Sequence, residues 1–226
     1  MRAGACGDGR PSLTDALAKS CNTAFGWLGM ELGAQALRDQ AGKFGFGQQL
    51  SVPMAVSPSR VPEQINKPQE ALSAIGQYDV RVTPLQVAMI AAGVANEGVV
   101  MQPYLVRQTK GADLAVLDQT QPRELGRAVS KDTAGALSRM MQKVVTDGTG
   151  TRARIDGIKV AGKSGTAEHG EGRNPHAWFM SFAPADDPKI AVAVVIEDGG
   201  NAGSEAAGGR ISAPIARDVM KAVIAP

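Results

Sequence analysis

The sequence predicts an α+β fold, an antiparallel sheet covered by helices. Three observations carry this. Helical patterning dominates the first part of the chain, a pair of apolar strand-like runs joined by a Pro-rich turn follows, and one helical segment closes it. Helices grouped ahead of consecutive strands indicate a sheet packed under helices, not an alternating parallel fold. With 226 residues, 43% hydrophobic and 20% charged, the chain is long enough and apolar enough for one large core. We see no internal repeat, and treat residues 1–226 as one domain.

The elements follow in order. Pro11-Ser12-Leu13 opens a helix, with Ser12 as cap and Asp15 placed where a carboxylate favours the positive helix end; it stops near Lys19-Ser20-Cys21-Asn22. Ala24, Phe25, Leu28 and Leu32 form the stripe of a second helix. A third runs from Ala34 to Phe44, closed by Gly45 and Gly47. Leu50 to Pro68 reads as a surface excursion. Thr83-Pro84-Leu85-Gln86 starts the next helix, with Thr83 at the cap, Pro84 at the first position and Gly98 as its stop. Val99 to Gln108 is strand-like, and Ser130 caps a helix reaching Val145, broken by Gly148 and Gly150. Strands are expected over 158–169, 176–183 and 190–197, the last two as a hairpin around Pro184 to Pro188. Ser212 to Ala225 is the closing helix, with Ile215, Val219 and Val223 spaced for one face.

Composition excludes several functions. A net charge of +2, no Lys/Arg-rich block and 4% aromatic residues give no basis for nucleic-acid binding. No apolar run approaches the ~18 residues that span a bilayer, and Met1 to Cys6 has no apolar signal core. For Cys6 and Cys21, a disulfide and a pair of small buried thiols fit equally well. His169 and His176 show no metal-type spacing with a cysteine and read as loop residues, so no metal is expected.

Two short stretches carry chemistry. Lys163-Ser164-Gly165-Thr166 sets a cation, two hydroxyls and a glycine on an edge-type strand, suited to gripping a peptide with a carboxylate; Gly165 would let another backbone come close. Read structurally, it is a polar edge strand. Ser20-Cys21-Asn22 lies between two helices, where a hydroxyl that relays protons and an amide that both donates and accepts can enter a cleft. Read structurally, it is a helix-to-helix turn with Asn22 as the next cap.

Their order adds meaning. Ser20-Cys21-Asn22, then Gly76-Gln77, Thr83-Pro84-Leu85-Gln86 and Lys163-Ser164-Gly165-Thr166, with His176-Ala177-Trp178-Phe179 after them, resembles the transpeptidase domain of penicillin-binding proteins across nearly the whole chain. It is most similar to the monofunctional class B enzymes, of an actinobacterial type, and shares the fold of serine β-lactamases. In that family a serine attacks the D-alanyl-D-alanine end of a peptidoglycan stem peptide, and an amine of a neighbouring strand resolves the acyl-enzyme.

The resemblance implies roles. Ser20 would pass a proton to the departing amine, and Asn22 would hydrogen-bond the substrate's peptide group and help hold the catalytic lysine. Lys163 would supply positive potential, while Ser164 and Thr166 would bind the terminal carboxylate of the stem peptide or of a β-lactam. Gly165 belongs to the same substrate-binding strand. The Thr166 N–H would be half of an oxyanion hole, worth about 3 kcal/mol per donor. Ser164 stands where threonine is more frequent and keeps the hydroxyl. The resemblance implies no cofactor, and as partners the stem peptide, β-lactams and division-complex proteins. It implies a location at the outer face of the bacterial cell membrane.

The family's third motif, Ser-x-x-Lys, supplies nucleophile and base. No serine here has a lysine three positions on: Ser12 is followed there by Asp15, Ser20 by Thr23, Ser57 by Arg60 and Ser164 by Ala167. The domain is therefore expected to be incomplete at its N-terminal side, with an N-terminal fragment as a further partner. Taken alone, the chain is expected not to acylate, and to leave apolar surface uncovered.

Two alternatives remain. A serine β-lactamase needs an extra base, and Glu63 and Glu70 lie in the right general stretch without its Glu-x-x-Leu-Asn context. A non-catalytic interaction module of a division complex predicts that changing Lys163 in the intact parent leaves cell-wall crosslinking unchanged.

Overall fold

A computed structural model describes residue 6 and residues 10–224. Helix α1, Leu13–Lys19, begins where Ser12 Oγ accepts the Asp15 N–H, and helix α2 runs over Asn22–Lys43. Gly33 interrupts α2 with φ 78° and ψ 163°, so the two helices expected on either side of residue 33 are distinct segments of one run. The excursion that follows contains a small hairpin, β1 (Ser51–Val52) with β2 (Met54–Ala55).

Helix α3, Lys67–Ala74, was not anticipated. Asn66 and Gln69 form a reciprocal capping box at its start, with a proline in the first turn. Helix α4, Pro84–Ala95, starts at Thr83, whose hydroxyl accepts the Gln86 N–H. The fully buried Gln86 side chain then donates to the Phe44 carbonyl at 2.7 Å, pinning α4 to the end of α2.

The strand expected over 99–108 is split. β3 (Val99–Met101) pairs with β6 (Glu124–Arg127), and β4 (Gln108–Lys110) pairs with β5 (Val116–Gln119), with Pro103 between the two halves. Proline has no N–H to give a ladder, which is why the strand cannot continue. Helix α5, Lys131–Asp147, is capped by Ser130 as expected.

The main sheet has strand order β7-β8-β9, all antiparallel: β7 Ala161–Ala167, β8 His176–Ala183, β9 Ile190–Ile196. Side chains alternate along β8, so α6 covers one face and α4 the other, with α5 reaching both. Phe179 and Ala183 pack with Val145 of α5 and with Ala213, Ala216 and Met220 of helix α6 (Ala213–Ile224). Phe182 and Met180 pack with Ala91 and Val94 of α4 and Met141 of α5. A sheet sandwiched between helices is the predicted α+β architecture.

The closing helix carries the row its spacing indicated, and that row faces outward. Ile215, Val219 and Val223 do share one side, but they are 42%, 42% and 51% exposed, while Ala213, Ala216 and Met220 are buried. Ala213 and Ala216 let the helix lie close on the sheet, Met220 fills the space beside them, and the β-branched row turns outward. No helix among the described residues is long and apolar enough to cross a membrane.

Candidate active site

β7 is an edge strand, and its free side carries the Lys163 to Thr166 motif. The Ser164 carbonyl accepts from Lys163 Nζ at 2.7 Å, and the Thr166 carbonyl accepts from Gln77 Nε2 at 3.1 Å. Neither carbonyl is spent on β8. In a strand the N–H and C=O of one residue point the same way, so the Thr166 N–H opens on this side too.

Ser20 reaches the same place from α1. It caps the helix in the left-handed region, φ 55° and ψ 54°, a conformation that costs a non-glycine residue about 1 kcal/mol. That turn sets its hydroxyl against Lys163, whose Nζ donates to Ser20 Oγ at 2.8 Å. Cys21 is 1% exposed and bonded to Cys6, so of the two cysteine readings the disulfide is the one observed. Cys21, not Asn22, takes the cap position of α2; Asn22 is the first helical residue and is exposed. The structure thus joins Ser20, Lys163 and Ser164 by hydrogen bonds, while Thr166 follows on the same strand with its carbonyl held by Gln77, and Asn22 opens the next helix without a hydrogen bond to the motif.

Lys163 is half-buried, and among the described residues no carboxylate pairs with it. Burial pulls its pKa down to about 8. Near neutral pH it remains mostly charged, so the cleft presents a cation with no counterion among the described residues. That is an electrostatic site for an anionic group.

Sequence reasoning missed three neighbours. Thr149 Oγ1 lies 2.6 Å from Ser164 Oγ, and its backbone N–H donates to the Ala18 carbonyl at 3.0 Å. The 148–150 loop therefore ties α1, which carries Ser20, to β7, which carries Ser164; the sequence identified this loop only as a helix breaker. The close backbone approach expected at Gly165 is made possible by another glycine. In the π-helical turn Gly208–Ser212, a Cβ on Gly208 would stand 1.8 Å from the Trp178 carbonyl oxygen and 2.5 Å from that of Gly165. A Cβ on Gly209 would stand 1.8 Å from the Thr149 carbonyl oxygen. Gln77 was a marker in the sequence and proves to touch the motif.

Other expectations resolve as follows. Glu70 is bound to Lys67 at 2.9 Å and accepts the Ala34 N–H just after the Gly33 break, where it caps the second half of α2. The Lys67 hydrogen bond, the largest cause, holds its carboxyl below the usual range. His169 lies in the β7–β8 connection, as expected of a loop residue, but His176 is the first residue of β8. A separate apolar cleft of about 650 Å³, lined by Met54, Thr83, Leu85 and Tyr104 among others, shares no residue with the Lys163 site.

Comparison with known proteins identifies the family and the fold. The family described as penicillin binding protein transpeptidase domain matches residues 2–221. Peptidoglycan D,D-transpeptidase PbpA of Mycolicibacterium smegmatis is 45% identical over 224 residues, covering 97% of this chain and 45% of the relative. PbpA of Mycobacterium tuberculosis is 43% identical over 227 residues, again with 97% and 45% covered. The solved structure of penicillin-binding protein A from M. tuberculosis as a ceftriaxone acyl-enzyme superimposes with TM-score 0.91 at 43% identity, covering 97% of this chain and 50% of that one. The chain thus spans about half the length of the relatives it matches. A motif-bearing edge strand, a serine cap against its lysine and a match along nearly the whole length lead to one assignment: this chain belongs to the penicillin-binding protein transpeptidase family.

Proposed function

We propose that in the intact protein this domain works as a serine-type peptidoglycan D,D-transpeptidase, which binds D-Ala-D-Ala stem peptides and is acylated by β-lactams. The observation that carries the reading is Lys163 Nζ held between Ser20 Oγ at 2.8 Å and the Ser164 carbonyl at 2.7 Å. One cation thereby polarises the hydroxyl that hands a proton to the leaving amine and marks the place where a carboxylate docks. Ser164 and Thr166 receive that carboxylate, Asn22 takes the substrate's peptide group, and the Thr166 N–H faces the developing oxyanion. The β-lactam acyl-enzymes of the M. tuberculosis relative support the β-lactam part.

The attacking serine and its lysine belong, in this reading, to a segment outside the 226 residues, since no Ser-x-x-Lys occurs within them. The outward row Ile215, Val219 and Val223 is apolar surface of the kind such a segment covers. A disulfide one residue from Ser20 suits an oxidising compartment, in keeping with work at the outer face of the cell membrane.

A fluorescent penicillin tests both parts. The intact protein should acquire a covalent label that Lys163→Ala sharply reduces, while the 226-residue chain should acquire none. A labelled chain would sink the assignment of the nucleophile to another segment; an unlabelled intact protein would sink the transpeptidase reading.

A further inference from the structure

The chain has two histidines, and the fold sets them against each other. His169 lies just past the end of β7 and His176 opens β8; their ring centroids are 3.5 Å apart and the ring planes differ by 9°. Asp198, just past the end of β9, completes the group. Its Oδ1 is 2.9 Å from His169 Nε2, and its backbone N–H donates to His176 Nδ1 at 3.0 Å. The Asn174 carbonyl oxygen lies 3.0 Å from the same His169 nitrogen. One nitrogen of each imidazole and one carboxylate oxygen all fall within 4.8 Å of one another.

We propose that His169, His176 and Asp198 form a binding site for a zinc-type divalent cation, with the Asn174 carbonyl or a water molecule as fourth ligand. The donor set selects the class of ion. Imidazole nitrogen with one carboxylate suits zinc and its neighbours, whereas calcium and magnesium are held by oxygen. The spacing fits as well. Bonds of about 2.1 Å place tetrahedral ligands roughly 3.4 Å apart, close to the 2.9 Å and 3.0 Å already separating His169 Nε2 from Asp198 Oδ1 and the Asn174 carbonyl.

Two adjustments bring the ion in. His169 Nε2 faces two oxygen acceptors, so it carries a proton in the free protein, and the cation takes that proton's place. Two parallel rings cannot both aim an in-plane lone pair at one centre, so His176 turns about its Cβ–Cγ bond and releases the Asp198 N–H. Asp198 is exposed, and water takes over that donor. The bound ion then clasps the β7–β8 connection, the start of β8 and the end of β9, steadying the strand end that follows Lys163 to Thr166.

The test is unusually free of competition. Both cysteines are in the disulfide, so no thiolate competes under non-reducing conditions, and the site uses every imidazole in the chain. The 226-residue chain, stripped with a chelator and titrated with Zn²⁺ in a calorimeter, should bind one ion per chain and melt at a higher temperature with zinc than without. The double variant His169→Gln/His176→Gln should bind none. Asp198→Asn, which removes the charge but tolerates the left-handed backbone at this position (φ 48°), should bind more weakly. No zinc uptake by the unaltered chain overturns the proposal. So does uptake by the double variant, or undiminished affinity in Asp198→Asn.

Discussion

Lys163 is where a single residue decides most. Its ammonium is half-buried without a carboxylate partner among the described residues, and burial brings its pKa to about 8, against about 10.4 for a free lysine. The sign of the consequence is definite. Between about pH 8 and 10 the unfolded chain binds more protons than the folded one, so this residue's contribution to stability rises with pH across that window. In the proposed role its contribution to ligand capture runs the other way, because the charge that would attract a carboxylate is lost over the same rise. Acylation of the intact protein by a penicillin should therefore fall as pH passes about 8, and Lys163→Ala should be slow with no such fall. A stopped-flow pH profile of the two proteins checks it; an unaltered decline in the variant would assign the titration to another group. At this scale the sequence was informative where chemistry is contiguous, as in Lys163 to Thr166. It was silent on Thr149, because a hydroxyl meeting Ser164 across a loop is a product of the fold.

At the scale of elements, the β7–β8 pair is held from behind by the Gly208–Ser212 turn. A methyl group at Gly208 would stand 1.8 Å from a backbone oxygen, and backbone cannot step aside as a flexible side chain can. Gly208→Ala should cost at least about 1–3 kcal/mol, the usual range for overpacking, read as a lower urea midpoint with a lowered penicillin acylation rate in the intact protein. A variant as stable as the parent would mean that the turn yields to an added methyl group. Caps were the most legible elements: Ser12, Thr83 and Ser130 each accept the backbone N–H three positions on, since a hydroxyl before a helical run has one natural partner. The same logic was available for Asn66 and Gln69, but Pro68 beside a polar stretch hid α3. The outward side of α6 could not be read. Periodicity says which residues share a face, and only the neighbours decide which face is inside.

For the molecule as a whole, the sheet between two helix layers supplies the core, and one covalent tie reaches the turn that carries Ser20. Cys6 and Cys21 close a short loop, with a sequence separation of 15, onto the α1–α2 junction. Loops of that size contribute about 3 kcal/mol by restricting the unfolded chain. Reduction with dithiothreitol should lower the urea midpoint accordingly, with a similar loss in Cys6→Ser; a midpoint unchanged by reductant would show that the helices alone hold the junction. The α+β class followed from element order because sheet and helices are grouped along the chain. The layering did not, since it depends on which strand faces pair with which helix.

The open side of β7 has one more consequence. An unpaired strand edge accepts any passing backbone, and proteins commonly protect such edges with a lysine or a capping side chain. Lys163 on the Ser164 carbonyl and Gln77 on the Thr166 carbonyl occupy this edge in that manner. Whatever they do for a ligand, these two side chains thus also guard the open edge against pairing with a second backbone.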